Sequence, residues 1–249
     1  MENLKLILPP FIIGLRYFFF AGFAYLLFYV WKNKKFIHKK IQPMMPKKES
    51  INNEIKYSIS TILVFSCVFY LMYYLRQQGY SKTYVELDKY GFAYLILSFP
   101  MLLLIHDFYF YCIHRLMHHP KLFKHVHAVH HRSHNPTPFA AFSFHPIEAF
   151  LEVGIIFIVL LIPINRYVLV LFSFSILFIN IFGHLGFELY GKNFLKTFLG
   201  KVINTSTHHN MHHKYANCNY GLYSIIWDKL FKSNHKKYEE TFELIAGNH

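Results

Sequence analysis

Between Tyr57 and Leu75 the chain reads YSISTILVFSCVFYLMYYL, a stretch without one charged residue. About 20 apolar residues suffice to carry a helix across a bilayer, and lipid leaves such a segment no partner for its backbone except itself. Comparable stretches run from Ile7 to Trp31 and from Phe92 to Ile113. A fourth region has two apolar arms, Ala149–Ile162 and Tyr167–Gly183, joined by the turn-like Pro163–Arg166. The first of these arms is short for a full crossing, so the pair is expected to form a tilted or partial hairpin. Composition agrees: the chain is 54% hydrophobic, 20% aromatic and only 16% charged, against roughly 25% charged in an ordinary soluble domain. That is too little polar surface to cover a soluble globule. Arg16 interrupts the first stretch at a cost of roughly 2.5–3.5 kcal/mol if held at mid-bilayer. It should face other helices, snorkel, or mark a later start of the span. Pro100 is a candidate kink in the third.

Charge sets the orientation. The segment WKNKKFIHKKIQPMMPKKES holds seven lysines, whereas the loop after the second span has only Arg76, Lys82 and Lys89. The positive-inside rule places Lys32–Lys48 in the cytoplasm, and counting spans brings His114–His145 and Gly186–His249 to that same face. The lysine run itself reads as a solvated loop that fixes topology, with an anionic lipid or protein partner as the alternative. The N-terminal stretch lacks a small-residue cleavage site and reads as a retained span. No internal repeat is visible. Cys67, Cys112 and Cys218 lie far apart, which argues against a disulfide framework or a thiolate zinc knuckle.

Eighteen histidines occur in 249 residues, and most arrive in bursts: HRLMHH, HAVHH and HHNMHH. His114 and His118 are four apart, which stacks their rings on one helical face, with Asp107 and Tyr111 on that face too. His127 precedes His130 and His131 by three and four residues, and His209 stands in the same relation to His212 and His213. Each set is expected to make a three-ring patch. Neutral imidazole is the commonest metal-ligand side chain, and this spacing lets one helix offer several to one ion. Eight rings are too many for one tetrahedral zinc and suit two octahedral-type ions with positions left open. His184 sits where the last apolar arm should reach the cytoplasmic face, and a polar ring there favours a function. Asn180, one turn earlier, could orient a water or ligand, and His145 is a candidate tenth ligand or supporting donor. Asp107, Glu148, Glu188 and Asp228 are candidate carboxylates for the second nitrogens of liganding rings. His38, His235 and His249 read as bystanders. His119, His125, His134 and His208 break the spacing, and His106 reads as a supporting or packing residue.

The pattern HxxxH, HxxHH, HxxHH resembles that of the fatty acid hydroxylase/sterol desaturase superfamily of integral membrane di-iron oxidases. The segments HDFYFYCIHRLMHHP, HAVHHRSHNPTPFAAFSFHPIE, GHLGFEL and NYGLYSIIWDKLF carry the resemblance, from about Leu95 to Lys232. It implies an all-α integral membrane protein of about four membrane-embedded helices, the last two a hairpin, beneath a cytoplasmic helical cap carrying the histidine boxes. Residues 1–91 would form an N-terminal transmembrane region, 92–232 the catalytic region and 233–249 a C-terminal tail. His114, His118, His127, His130, His131, His184, His209, His212 and His213 would hold two iron ions, which zinc can replace on purification.

The resemblance further implies O2 as co-substrate and hydroxylation or desaturation of a lipid C–H bond, the lipid arriving from the bilayer. The chain shows no dinucleotide fingerprint, haem attachment site or cysteine cluster. Electrons are therefore expected from a separate cytoplasmic donor, a reductase with a ferredoxin or cytochrome b-type carrier, and no nucleic acid is involved. The short chain and missing haem domain fit a compact bacterial-type member, expected in an inner membrane, and the Lys/Asn/Ile/Phe bias suggests an AT-rich genome. The alternative class is a histidine-rich zinc transporter, or a metal-binding protein without catalysis. Transporters place such ligands near mid-membrane, whereas these bursts follow the spans.

Overall fold

The computed structural model describes residues 2–247, with side chains from Leu8 onward. The described residues are helical, with isolated bridges but no strand. Helix α1 (Glu2–Tyr25) continues as a π-helical segment, Leu26–Trp31, followed by a single turn, α2 (Asn33–Phe36). Two long helices come next, α3 (Lys48–Gln77) and α4 (Phe92–Met117), then the short α5 (Pro120–Val126) and α6 (Ala128–His131). A 3-10 turn, Pro138–Phe142, leads to α7 (Pro146–Val153) and α8 (Ile155–Leu161). After α9 (Arg166–Gly183) come α10 (Ser206–Tyr215), α11 (Ile226–Leu230) and α12 (Tyr238–Ala246).

Among the described residues, four helices are long and apolar enough to cross a membrane: Leu8–Trp31, α3, α4 and α9. The sequence-expected hairpin therefore has one full arm, α9, and one broken arm. The break falls at Gly154, where the Tyr109 hydroxyl, donating 2.7 Å to the Leu151 carbonyl, occupies the space a β-carbon would need. Pro100 lies inside α4, whose helix runs on through it.

Phe11, Leu15, Phe19 and Phe23, spaced by four, remain exposed and form the lipid face of α1. Its other face buries Tyr17 and Ala21 against Ile62, Ala141, Phe142, Leu177 and Ile181. Lipid is as apolar as these side chains, so close packing and hydrogen bonds, rather than water exclusion, hold such a core together. The turn Pro138–Phe142 is driven into it: Phe142 stacks on Tyr17 at 4.4 Å, and the Tyr17 hydroxyl donates to the Phe139 carbonyl at 2.7 Å. Arg16 faces a neighbouring helix, donating to Ser173 Oγ at 2.8 Å with its guanidinium 5.1 Å from the Phe174 ring centre.

The two ends of the bundle differ. At one end the loop 78–91 clasps the turn before α9, through Tyr84 N to Ile164 O at 3.2 Å and Arg166 N to Tyr84 O at 2.8 Å. Every histidine burst lies at the other end, together with the lysine-rich segment. That segment is not wholly a solvated loop. Lys32, Lys34, Lys35, Lys47 and Lys48 are exposed, but between them the chain pairs with the strand-like stretch after α9. Ile41 N donates to Gly186 O at 3.1 Å and Glu188 N to Lys39 O at 2.9 Å. Gly186 is obligatory there, with φ +76° and the Tyr29 hydroxyl where a β-carbon would stand. Gln42 then reaches the His134 carbonyl and Asn210 Oδ1, the latter at 2.8 Å. Within the C-terminal residues 233–249, α12 buries Tyr238, Phe242 and Ala246 against Met211 and Ile225. His249 lies outside the described residues.

Candidate metal centre

Three short helices and two helix ends bring nine imidazoles together. His114 is in the last turn of α4 and His118 caps its C-terminus. His127 is the junction of α5 and α6, His130 and His131 end α6, and His184 caps α9. His209, His212 and His213 lie along α10, whose N-terminus is fixed by the Thr205 cap and by Glu188 accepting from Thr207 N and Oγ1.

The rings form two groups: His114, His118, His127, His131 and His212 in one, and His130, His184, His209 and His213 in the other. Within each group the candidate ligand nitrogens all lie within 4.8 Å of one another. The expected three-ring patches are therefore divided. Residues four apart stay together (His114 with His118, His127 with His131, His209 with His213), while the third ring of each HxxHH set crosses to the other group. Positions i+3 and i+4 point 100° apart around a helix, which suffices to aim neighbours at different centres once both are near. The groups touch: His131 and His213 are 5.1 Å apart by ring centres.

In five of the nine rings the second nitrogen shows why the first is free. His114 Nδ1 donates to the Tyr220 carbonyl at 2.8 Å, His212 Nδ1 to the Cys218 carbonyl at 2.7 Å, and His127 Nδ1 to Glu148 Oε1 at 2.7 Å. In the other group His184 Nδ1 donates to the Asn180 carbonyl at 2.8 Å and His130 Nδ1 reaches the Ser143 carbonyl at 3.4 Å. Carbonyls only accept, so the single proton of each neutral ring sits on Nδ1 and Nε2 carries a lone pair. The Nε2 atoms of the rings converge: His114 on His127 at 3.0 Å, His131 on His212 at 3.0 Å, His209 on His184 at 3.0 Å. Between His114 and His127, both engaged through Nδ1, two lone pairs face each other and repel, and a cation between them removes the repulsion. The donor set is all nitrogen, which suits iron, copper, nickel or zinc rather than calcium or magnesium. The residues present thus fit a pair of transition-metal ions.

Burial keeps the rings neutral and ready to ligate. Desolvation, with like-charged neighbours adding to it, pushes His131 down to about 3, and desolvation pushes His184 down to about 4. His130, His209, His212 and His213 are lowered well below their ordinary value by the same cause. Eight of the nine rings are buried. His118 alone is partly exposed, at a groove lined by Arg115, His119, Tyr220 and Phe231.

The remaining candidates fall elsewhere. Among the described residues, Glu148 is the one carboxylate that meets a grouped imidazole. Asp107 instead accepts from Tyr223 N at 3.0 Å and Trp227 Nε1 at 2.9 Å, pinning the loop that offers the Tyr220 carbonyl. Asp228 holds that loop from the other side, through Tyr220 N at 2.8 Å and Gly221 N at 2.7 Å. Asn180 directs its side chain to the Ala141 carbonyl at 2.8 Å, and only its main chain serves His184. His145 caps α7 by accepting from Ile147 N at 3.3 Å and joins neither group. His208 is buried on Asn234 at 2.8 Å, and His106 pairs with the Tyr223 hydroxyl. The carbonyls of Tyr220, Cys218 and Ser143 escaped the sequence reading, because any residue type can supply a carbonyl.

A family model described as fatty acid hydroxylase matches residues 99–233. Among curated proteins, the chain is 34% identical over 232 residues to a Delta(7)-sterol 5(6)-desaturase of Leptosphaeria maculans, covering 91% of this chain and 60% of that protein. A second Delta(7)-sterol 5(6)-desaturase, from Gibberella zeae, is 31% identical over 190 residues, 76% of this chain and 57% of that protein. Lathosterol oxidase of Homo sapiens is 28% identical over 220 residues, 86% of this chain and 69% of that protein. The chain thus spans about 60% of the length of the two desaturases it matches. No solved structure matches it.

Proposed function

Because the chain belongs to the fatty acid hydroxylase family, we propose that it is a membrane oxidoreductase that uses O2 to desaturate or hydroxylate a C–H bond of a lipid, with a sterol as the substrate class. The observation that carries this reading is the pair of histidine groups, five rings and four, converging at one end of the membrane bundle. In this reading His114, His118, His127, His131 and His212 hold one iron ion, and His130, His184, His209 and His213 hold the other. Two irons there would supply the redox chemistry and O2 activation that an inert C–H bond requires.

The chain's own residues do the rest. Glu148 and the carbonyls of Tyr220, Cys218 and Asn180 fix the ring tautomers, so the lone pairs are in place before anything binds. Burial of eight rings keeps bulk water and its protons away from the reacting centre. The four spans hold this site at the membrane boundary, where a lipid can reach it without leaving the bilayer.

We place the site on the cytoplasmic face, since the histidines share their end of the bundle with Lys32–Lys48. The exposed lysines there suit an acidic electron carrier of ferredoxin or cytochrome b type. The expectation of a bacterial inner membrane finds no support among the relatives, which are eukaryotic. The test is expression in a sterol-producing host lacking its own C5 desaturase, followed by mass spectrometry of the lipids. The proposed enzyme yields a sterol lighter by two hydrogens or heavier by one oxygen. An unchanged lipid profile from iron-loaded protein with a supplied electron donor contradicts the proposal.

A further inference from the structure

One carboxylate inside the bundle has no task in the metal centre. Glu152 follows Glu148 by four residues on α7, one helical turn away and on the same face. Its carboxylate has no hydrogen-bond or ion-pair partner among the described residues. It lies within electrostatic reach of Glu148, Tyr109 and Tyr223, yet both tyrosine hydroxyls are engaged elsewhere, on the Leu151 carbonyl and on His106. Glu152, Tyr109 and Tyr223 remain partly accessible, while Phe110, Phe172 and His106 beside them are buried. An ionisable side chain set among apolar neighbours is costly without a partner. A ligand that donates a hydrogen bond to it offsets that cost.

We propose that Glu152 accepts the hydroxyl of the substrate and so sets which carbon meets the five-ring histidine group. The inference rests on the sterol-oxidation reading above and deepens it by naming the side chain that holds the substrate's hydroxyl. Four residues of helix separate Glu152 from the Glu148–His127 pair, a rise of about 6 Å. A sterol's 3-hydroxyl is only a few bonds from its nearest ring carbons, so anchoring the oxygen at Glu152 brings those carbons toward His127 and its neighbours. An acyl chain has no donor at such a position and leaves Glu152 unpaired. Tyr109 and Gly154 hold α7 where this face turns inward.

Equilibrium binding tests this without turnover. Metal-loaded full-length chain in detergent is titrated with a radiolabelled 3β-hydroxysterol and with the same sterol bearing hydrogen in place of the hydroxyl. Wild type should prefer the hydroxysterol by about 100-fold or more, since sites built around a substrate hydroxyl discriminate strongly against its absence. Glu152→Leu should bind the two alike, while Glu152→Gln, which keeps a carbonyl acceptor, should retain most of the preference. Equal metal content in all three chains certifies the fold. A Glu152→Leu chain that still distinguishes the sterols, or a wild-type chain that does not, overturns the assignment. A wild-type chain that shows the preference yet oxidises neither sterol contradicts the proposed activity and leaves the hydroxyl site standing.

Discussion

The five-ring and four-ring groups use the same side chain on different supports. In the first, three rings are locked through Nδ1, by Glu148 and by the carbonyls of Tyr220 and Cys218, all at 2.7–2.8 Å. In the second, His184 is locked on Asn180 at 2.8 Å, His130 is held loosely at 3.4 Å, and Nδ1 of both His209 and His213 has no partner, whereas in the first only His131 Nδ1 is left without one. The first group also has the only partly exposed ring, His118. A liganding imidazole is oriented by what its other nitrogen touches, so the five-ring group is organised by the protein and the four-ring group more by its ion. The first ion should therefore be held more tightly, and the second should be the one that comes and goes.

The strongest way to break this contrast is to remove one ring from each group. His212→Ala and His130→Ala should each reduce turnover to background, but with the remaining ion held in different places. The first leaves the four-ring group intact, and the second leaves three weakly oriented rings. Elemental analysis should find one ion per chain in both, retained in different places, and full activity in either variant would remove that ring from the centre. Next in size is Glu148→Gln, which keeps an acceptor for His127 but loses the charge. Metal affinity should fall roughly 10–100-fold, at the five-ring group alone, as read by competition with a chromophoric chelator. Graded chelation of the wild type sharpens the comparison further. It should release metal in two steps, the four-ring group first, and lower Tm at each step, because an ion bound only to the folded chain stabilises it. A single cooperative step would refute unequal supports. The smallest effect belongs to Asn180→Ala. It removes the bond to the Ala141 carbonyl but leaves the main-chain acceptor of His184, so about 1 kcal/mol of stability should be lost, with metal content unchanged.

The spans were legible because exclusion of charge over a helix's length has few other meanings, and all four match charge-poor stretches of the sequence. Eight of the nine histidines could be singled out because their spacing is a property of one helix at a time, and His184 because a polar ring ends an apolar arm. How the HxxHH sets divide could not, since it depends on where a second helix lies: His130 looks toward α9 and α10, His212 back toward α4. The broken arm at Gly154 was equally hidden, because its cause, Tyr109, sits 45 residues earlier. Asp107 and Asp228 were sensible candidates by residue type, yet both act on backbone amides of the 220–224 loop, one step removed from the rings. The lysine run carries a topology signal in its composition but says nothing of its middle, where Lys40 is buried and donates to Asn135 at 3.1 Å. Main-chain acceptors leave no trace in a sequence, and most of the imidazole anchors are main chain.

Anomalous diffraction at the iron edge, from crystals of iron-loaded protein, tests the central claim most directly. The account predicts two peaks, one ringed by His114, His118, His127, His131 and His212, the other by His130, His184, His209 and His213. One peak between the groups, or a peak whose neighbours are not these rings, would contradict it.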